Sequence, residues 1–319
     1  MKNIIFKRLI MIIPVLLAVT FLVFGIMEMT PGDPAIAILG ADATPESISL
    51  VHQQLGLDQP FLVRYGKFVL NLLHGDLGTS YKNNLDVMGQ LMQRLPNTLL
   101  LAGLALIFAT AVGVPVGIIS ARKQYSLLDN ICMVGTLLGA AAPNFWLGLM
   151  LVLFFSLRLG WVPATGMVSG AGFAKSLIMP VITLGFQSAA LIARMTRSAM
   201  LDVLRADYVD TARSKGISES QVTFRHQFRN ALIPIVTTMG LQLGVMIGGA
   251  VTVETVFAWP GIGRYILESI NLKDTPCVLG AVVMLAIILA IINLIVDIIY
   301  AYIDPRIKSQ YETITGKRR

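Results

Sequence analysis

Charge is scarce in this chain. Only 13% of its 319 residues are Asp, Glu, Lys or Arg, where a soluble domain carries about 25%. With 55% hydrophobic residues and a mean hydropathy of +0.73, that shortage speaks against a soluble domain and makes lipid the expected solvent. Cysteine is nearly absent. Cys132 and Cys277 lie in or beside apolar runs, with no CxxC or His-rich context, so disulfide and thiolate-metal readings have little support. The three histidines, His52, His74 and His226, are not paired at ligand spacing. No metal site is expected.

A phosphate-cradling loop is missing too. Gly–Lys occurs at Gly66-Lys67 and Gly316-Lys317, and neither pair has the upstream glycine or following Ser/Thr that such a loop needs. The chain is therefore not expected to bind ATP in that manner. No Ser/His, Cys/His or paired-carboxylate set falls inside an apolar run, so no catalytic residue and no cofactor of its own are expected. Ion-coupled carriers place ionisable groups near the bilayer centre. Here Glu28 and Glu254 fall at outer ends of runs and Asp297 toward the inner end of the last. An ion-coupled secondary carrier remains the alternative from another class, and nothing resembles a selectivity filter.

What the chain has instead is long apolar runs. A bilayer core about 30 Å thick needs about 20 apolar residues of helix. Six stretches meet or approach this: Leu9–Met27, Thr98–Ala121, Ile131–Leu157 with Pro143 and Asn144 inside it, Ser176–Ala193, Ala231–Val253 and Cys277–Tyr302. They predict an all-α polytopic membrane protein with six transmembrane helices. Lys7 and Arg8 precede the first run, as in a signal peptide. Its core exceeds the signal length of about 7–15 residues and no small-x-small site follows, so a retained helix is expected.

The net charge of +7 sits between the runs, so it reads as membrane orientation rather than nucleic-acid binding. With a cytosolic N-terminus, 17 of the 25 Lys and Arg fall inside: Lys2, Lys7, Arg8, Arg122, Lys123, Arg194, Arg197, Arg205, Arg213, Lys215, Arg225, Arg229, Arg306, Lys308, Lys317, Arg318 and Arg319. Eight fall outside: Arg64, Lys67, Lys82, Arg94, Arg158, Lys175, Arg264 and Lys273. Both termini are then cytosolic. The expected organisation is a first helix within 1–29, an extracytoplasmic cap over 30–96, a main transmembrane domain over 97–304 and a cytosolic tail over 305–319. In the cap, Thr44, Ser47 and the apolar positions Ile48, Val51 and Leu55 predict a short amphipathic helix, and Leu62–Leu73 a second.

The strongest local pattern lies between the fourth and fifth runs, over about 199–230. Met200, Val203, Leu204 and Tyr208 are expected on one helical face. Gly216 is placed to end that helix in the left-handed conformation. Ser218 and Gln221 fit a capping box, and Val222, Phe224 and Phe228 supply apolar contacts for a second helix. Two readings follow: a rigid tip for a protein partner, or an amphipathic hairpin lying on anionic lipid.

Asp210-Thr-Ala212 with Gly216 resembles the EAA loop of ABC importer permeases. More narrowly, Asp207-Tyr-Val-Asp-Thr-Ala-Arg-Ser-Lys-Gly216 followed by Arg229-Asn-Ala-Leu-Ile-Pro234 resembles the dipeptide/oligopeptide/nickel permease family, first permease subunit type. Pro31-Gly-Asp-Pro34, Leu55-Gly-Leu-Asp-Gln-Pro60, His74-Gly-Asp-Leu-Gly78, Phe257-Ala-Trp-Pro-Gly-Ile-Gly-Arg264, Asn293-Leu-Ile-Val-Asp297 and Asp304-Pro-Arg306 agree in order. Phe228-Arg229 departs from the Leu-Pro of many importers, as in the peptide subgroup. The resemblance implies the type I ABC importer fold and an inner-membrane location in a prokaryote. It also implies a second homologous permease subunit, two ABC ATPase subunits that hold ATP and Mg, and an extracytoplasmic substrate-binding protein. Asp207, Tyr208, Asp210, Thr211, Ala212, Lys215 and Gly216 are the coupling residues by matching positions, with Ala212 and Gly216 allowing close backbone approach. The implied cargo is di- or oligopeptides, with nickel, a nickel chelate or glutathione as alternatives. The short outer loop from Leu157 to Lys175 points mildly to those alternatives.

Other candidates carry two readings each. Asn144, Gln187 and Gln242 either line the solute path or make interhelical hydrogen bonds. Gly240, Gly244 and Gly248 form either a gate surface beside the partner permease or static packing. Trp259 is either an interfacial anchor or, with Arg264 in the same outer loop, a contact for the binding protein. Asp297 is expected to pair near the inner interface.

Overall fold

The computed structural model describes residues 2–40, 42–204 and 206–303, and the side chains of these except 2–9, 297 and 300–303. Arg205, the motif from Asp304 to Arg306, the tail 305–319 and the side chains of Lys2, Lys7, Arg8 and Asp297 therefore lie outside the described residues. Within them the chain is all-helical apart from an isolated bridge between Thr79 and Asp86.

The helices are α1 (Lys2–Met29), α2 (Pro34–Leu39), α3 (Pro45–Leu55), α4 (Phe61–Leu73), α5 (Val87–Arg122), α6 (Leu127–Ala141) and α7 (Asn144–Leu151). They continue with α8 (Phe173–Leu204), α9 (Asp207–Ser214), α10 (Glu219–Gln221), α11 (Arg229–Val256), α12 (Ile262–Asn271) and α13 (Thr275–Ile303). Two π-helical segments, Val152–Arg158 and Val222–Phe228, extend α7 and α10.

Five helical stretches are long and apolar enough to cross a bilayer: Ile10–Met29, Val87–Arg122, Gly170–Leu204, Glu219–Val256 and Thr275–Val296. The third expected span is not one straight helix. Leu127–Ala141 and Asn144–Arg158 meet at 102°. The cause is local. Pro143 bars the helical region to the residue before it, and Ala142 sits extended at φ −71, ψ 123. The chain then restarts as a helix at Asn144.

Contacts group the described residues into two units, one from the N-terminus to Leu99 together with Ala258–Ala290, the other Leu100–Phe257 together with the described residues from Ile291 on. In the first unit the cap helices start where the sequence provides caps. Asp33 accepts from the Ala35 amide ahead of α2, Thr44 accepts from the Ser47 amide ahead of α3, and Pro34 and Pro45 occupy the first turns, where a missing N–H costs nothing. Gly56 closes α3 at φ 67. Phe21 and Phe24 of α1 stand edge-on to Phe61 and Tyr65 of α4, and Arg64 pairs with Glu28 at 2.9 Å. The core of this unit gathers Leu77, Val87, Leu91, Ile262, Tyr265, Cys277 and Ala281.

In the second unit α8 is the central helix, packed against α6, α7 and α11. It also lies backbone-close to α5. A Cβ on Gly113 would stand 2.6 Å from the Ala189 carbonyl oxygen, one on Gly117 2.5 Å from Thr196 Cβ, and one on Gly185 2.7 Å from the Ala105 carbonyl oxygen. Small residues four apart make this approach possible.

Candidate functional site

The knuckle predicted over 199–230 is two short helices folded on each other. α8 ends at Leu204 and α9 begins at Asp207, so the expected single face breaks. Met200 is fully buried with Ala199, Ala231 and Ile235, while Tyr208 is 42% exposed. The correction has a physical cause: between them Ala206 is extended, at ψ 136, which rotates α9 out of register. Gly216 does end α9, at φ 76. Ser218 sits at the cap position of α10, but its side chain makes no cap hydrogen bond, so the capping box does not form. Val222 is buried, whereas Phe224 is exposed, because the π-helical turn from Val222 shifts the face that follows.

A small core of Val209, Ala212 and Val222 holds the two helices, with Val203, Ala206 and Ile217 around it. Ala212 therefore belongs to the inside of the knuckle, and its side chain is not on a docking surface. Asp207, Tyr208, Asp210, Thr211, Lys215 and Gly216 are exposed together on α9 and its end. None of the described residues stands within 4 Å of where a Gly216 Cβ would be. Arg213, which sequence reasoning did not single out, ties the helices: Nε donates to Glu219 at 2.9 Å and Nη1 to Asp210 at 3.2 Å. The hydrogen bond to Glu219, with Asp210 behind it, holds the guanidinium above its ordinary value. Asp210 three residues ahead was the available signal. Gln227, 1% exposed in the π-helical turn, has no hydrogen-bond partner for either amide atom among the described residues.

The remaining candidates scatter. Gln187 Nε2 donates to the Ala140 carbonyl at 3.1 Å, and Ser188 Oγ donates to Gln242 at 2.9 Å. Both glutamines thus bond between helices. Asn144 is half-buried beside Gly249. Of the glycine series, Gly240 is in tight packing, its Cβ position 2.5 Å from Val296. Gly248 faces open space and Gly244 is half-buried. Trp259 corrects its expectation. It is 0% exposed and its Nε1 donates to the Asn97 carbonyl at 3.1 Å, so it is neither a lipid anchor nor a surface contact here. Arg264 bonds Glu268 at 2.7 Å and the Ala258 carbonyl at 2.7 Å, which fixes the same loop.

An ion pair between a buried carboxylate and a half-buried guanidinium went unread in the sequence. Asp129 accepts from Arg197 Nε and Nη2, each at 2.8 Å, from the Tyr125 amide at 2.9 Å and from Ser120 Oγ. The two partners are 68 residues apart, and no helical spacing connects them. Among the described residues no group of three or more His, Cys, Asp or Glu could hold a metal ion.

Comparison with known proteins agrees with this architecture. Residues 113–309 match the family described as binding-protein-dependent transport system inner membrane component, and residues 1–102 match its N-terminal companion. The chain is 43% identical to the dipeptide transport system permease protein DppB of Alkalihalophilus pseudofirmus, over 95% of this chain and 98% of that one. It is 42% identical to the glutathione transport system permease protein GsiC of Salmonella paratyphi A, over 97% and 99%. A solved structure of the MetNI methionine ABC transporter in an inward-facing conformation superposes with a TM-score of 0.58 at 19% identity, over 68% of this chain and 97% of that one. The fold is the type I ABC importer membrane fold, and the chain belongs to the family of binding-protein-dependent transport system inner membrane components.

Proposed function

We propose that this chain is one of two permease subunits in an ATP-driven importer that carries di- or oligopeptides across the inner membrane into the cytosol. The single observation that carries the cargo is the near full-length likeness to a dipeptide permease at 43% identity. ATP is bound and hydrolysed by two partner ATPases. Their closing pushes on the exposed face of Asp207, Tyr208, Asp210, Thr211, Lys215 and Gly216, and the membrane helices turn the cavity outward toward a binding protein. Physical support comes from the knuckle itself: its own buried core and the Arg213 bridges make it stiff, and a stiff element is needed to pass on a push.

Glutathione is the second reading, favoured by the 42% identity to GsiC. Glutathione is itself a tripeptide, so the two cargoes differ in size and charge rather than in class. Deleting the gene and measuring uptake of labelled di- and tripeptides and of glutathione decides between them. The expected result is loss of peptide uptake, restored by the wild-type chain. Unchanged peptide uptake, together with a binding protein that carries nickel or a nickel chelate in native mass spectrometry, overturns the peptide assignment.

A further inference from the structure

We propose that Asp129 and Arg197 are a positioning pair that makes the membrane helices follow the knuckle, so that solute movement is tied to ATP hydrolysis. The proposal rests on the import function above.

The carboxylate of Asp129 is 2% exposed and draws together separate pieces of the second unit. Ser120 comes from α5, the Tyr125 amide from the turn after it, Asp129 itself from α6 and Arg197 from α8. Immediately beside this junction α5 and α8 touch, with the Gly117 Cβ position 2.5 Å from Thr196 Cβ. Ile118 and Ala121, next to Ser120 on α5, and Ala199 and Met200, just after Arg197 on α8, belong to one buried apolar collar with Ala231 and Ile235.

Arg197 also lies close to the knuckle along the chain. α8 ends at Leu204, roughly two turns further on. Val203 packs both against the collar and against the knuckle core of Val209, Ala212 and Val222. A displacement of α9 is therefore carried into the inner end of α8. The ion pair sets what moves next.

Stability alone does not call for such a pair. A buried ion pair is often no better than a packed apolar pair of similar volume. What a two-pronged Arg–carboxylate contact adds is fixed distance and direction. An apolar contact at the same place repacks when one helix shifts. The pair, bonded at both prongs, drags the α5–α6 elbow with α8.

The test uses the whole assembly in proteoliposomes, this chain with its partner permease, ATPases and binding protein, and counts peptide moved per ATP hydrolysed. Three variants are compared: Asp129→Asn, the double Asp129→Leu with Arg197→Met, and Ser120→Ala. Coupling free energies between sites span about 5- to 150-fold. On that scale the first two are expected to lower peptide per ATP about tenfold with ATPase activity retained, and Ser120→Ala about fivefold, at its lower end. The apolar double variant is expected to assemble at the wild-type level, which separates coupling from folding. An unchanged ratio in the double variant and in Ser120→Ala overturns the proposal. So does a parallel fall of uptake and ATPase activity in both, as a purely structural role would give. A wild-type assembly with no ATP-driven uptake instead overturns the function on which the proposal rests.

Discussion

At Gly216 the proposed coupling role can be tested through backbone conformation. Its φ of 76 suits glycine, and the space where its side chain would stand is open. A β-branched residue held at positive φ is strained by about 1–3 kcal/mol. Gly216→Val is expected to leave insertion intact, to abolish uptake and to weaken ATPase retention in co-purification. Gly216→Asn relieves the strain, because Asn tolerates this region, but still puts a side chain on the tip, so reduced uptake is expected there too. Normal uptake and retention in Gly216→Val would put the coupling tip elsewhere. Asp33 offers a pH test in the cap. Burial alone would raise its carboxyl; the hydrogen bonds from His52, at 2.9 and 3.0 Å, and from the Ala35 amide outweigh that and hold it below the ordinary 3.8. Its stabilising contribution is therefore full above 3.8 and lost as pH falls below that value. Losing an N-cap costs about 1 kcal/mol, so Asp33→Ala should melt earlier than the wild type at pH 7. The difference should shrink at pH 3. A constant difference across that range would show that Asp33 is not protonated with structural effect.

Helices were legible where the chain announces them chemically. Thr44, Gly216 and the apolar runs are local signals, and helices stand where they point, although α5 begins at Val87 rather than Thr98 and α8 runs to Leu204 rather than Ala193. The misses also have physical causes. Periodicity carried Tyr208 onto the face of Met200 because no Gly or Pro marks the break before Asp207. Pro143 was visible inside the third run, but the size of the bend depends on packing. The π-helical turns have no residue signature, and they displaced Phe224. The Asp129–Arg197 pair is set by tertiary approach alone. In the glycine series expected at 240, 244 and 248, Gly240 makes a tight contact and Gly248 faces open space, whereas Gly113 and Gly117 of α5 make the close seam with α8. That seam gives an element-scale prediction. Gly→Ala favours a free helix by about 1 kcal/mol. At Gly117 the added Cβ would stand 2.5 Å from Thr196 Cβ and 2.6 Å from the Ala193 carbonyl oxygen. Overpacking of about 1–3 kcal/mol then exceeds the propensity gain. Gly117→Ala should melt at lower temperature than wild type in detergent. Gly103→Ala on the same helix, with nothing within 4 Å, should be neutral or stabilising. Equal melting of the two variants would mean that α5 and α8 are not in backbone contact.

Orientation is a property of the whole molecule, and it is decided by loops rather than by any site. Lys and Arg near the ends of spans resist translocation, while acidic residues contribute little. The count of 17 against 8 among 25 therefore predicts cytosolic termini, with the knuckle inside and residues 30–96 outside. Arg64 is neutralised by Glu28 at 2.9 Å, and Arg94 stacks on Tyr265 with its guanidinium 4.3 Å from the ring centre, so these cap cations are held by their own unit. Reversing the chain would carry the seven basic residues between Arg194 and Arg229 across the bilayer, and would put the proposed coupling face of α9 on the side away from cytosolic ATP. A label tests this directly. Leu85 is exposed in the loop before α5, so Leu85→Cys should react with a membrane-impermeant maleimide in whole cells once the outer barrier is opened. Cys277 is buried and Cys132 half-buried, and a Cys132→Ser background removes the second thiol as a competitor. Lys215→Cys in the knuckle should react only after the inner membrane is breached. Labelling of Lys215→Cys in intact cells with Leu85→Cys protected would invert the orientation and overturn the coupling role proposed for the knuckle.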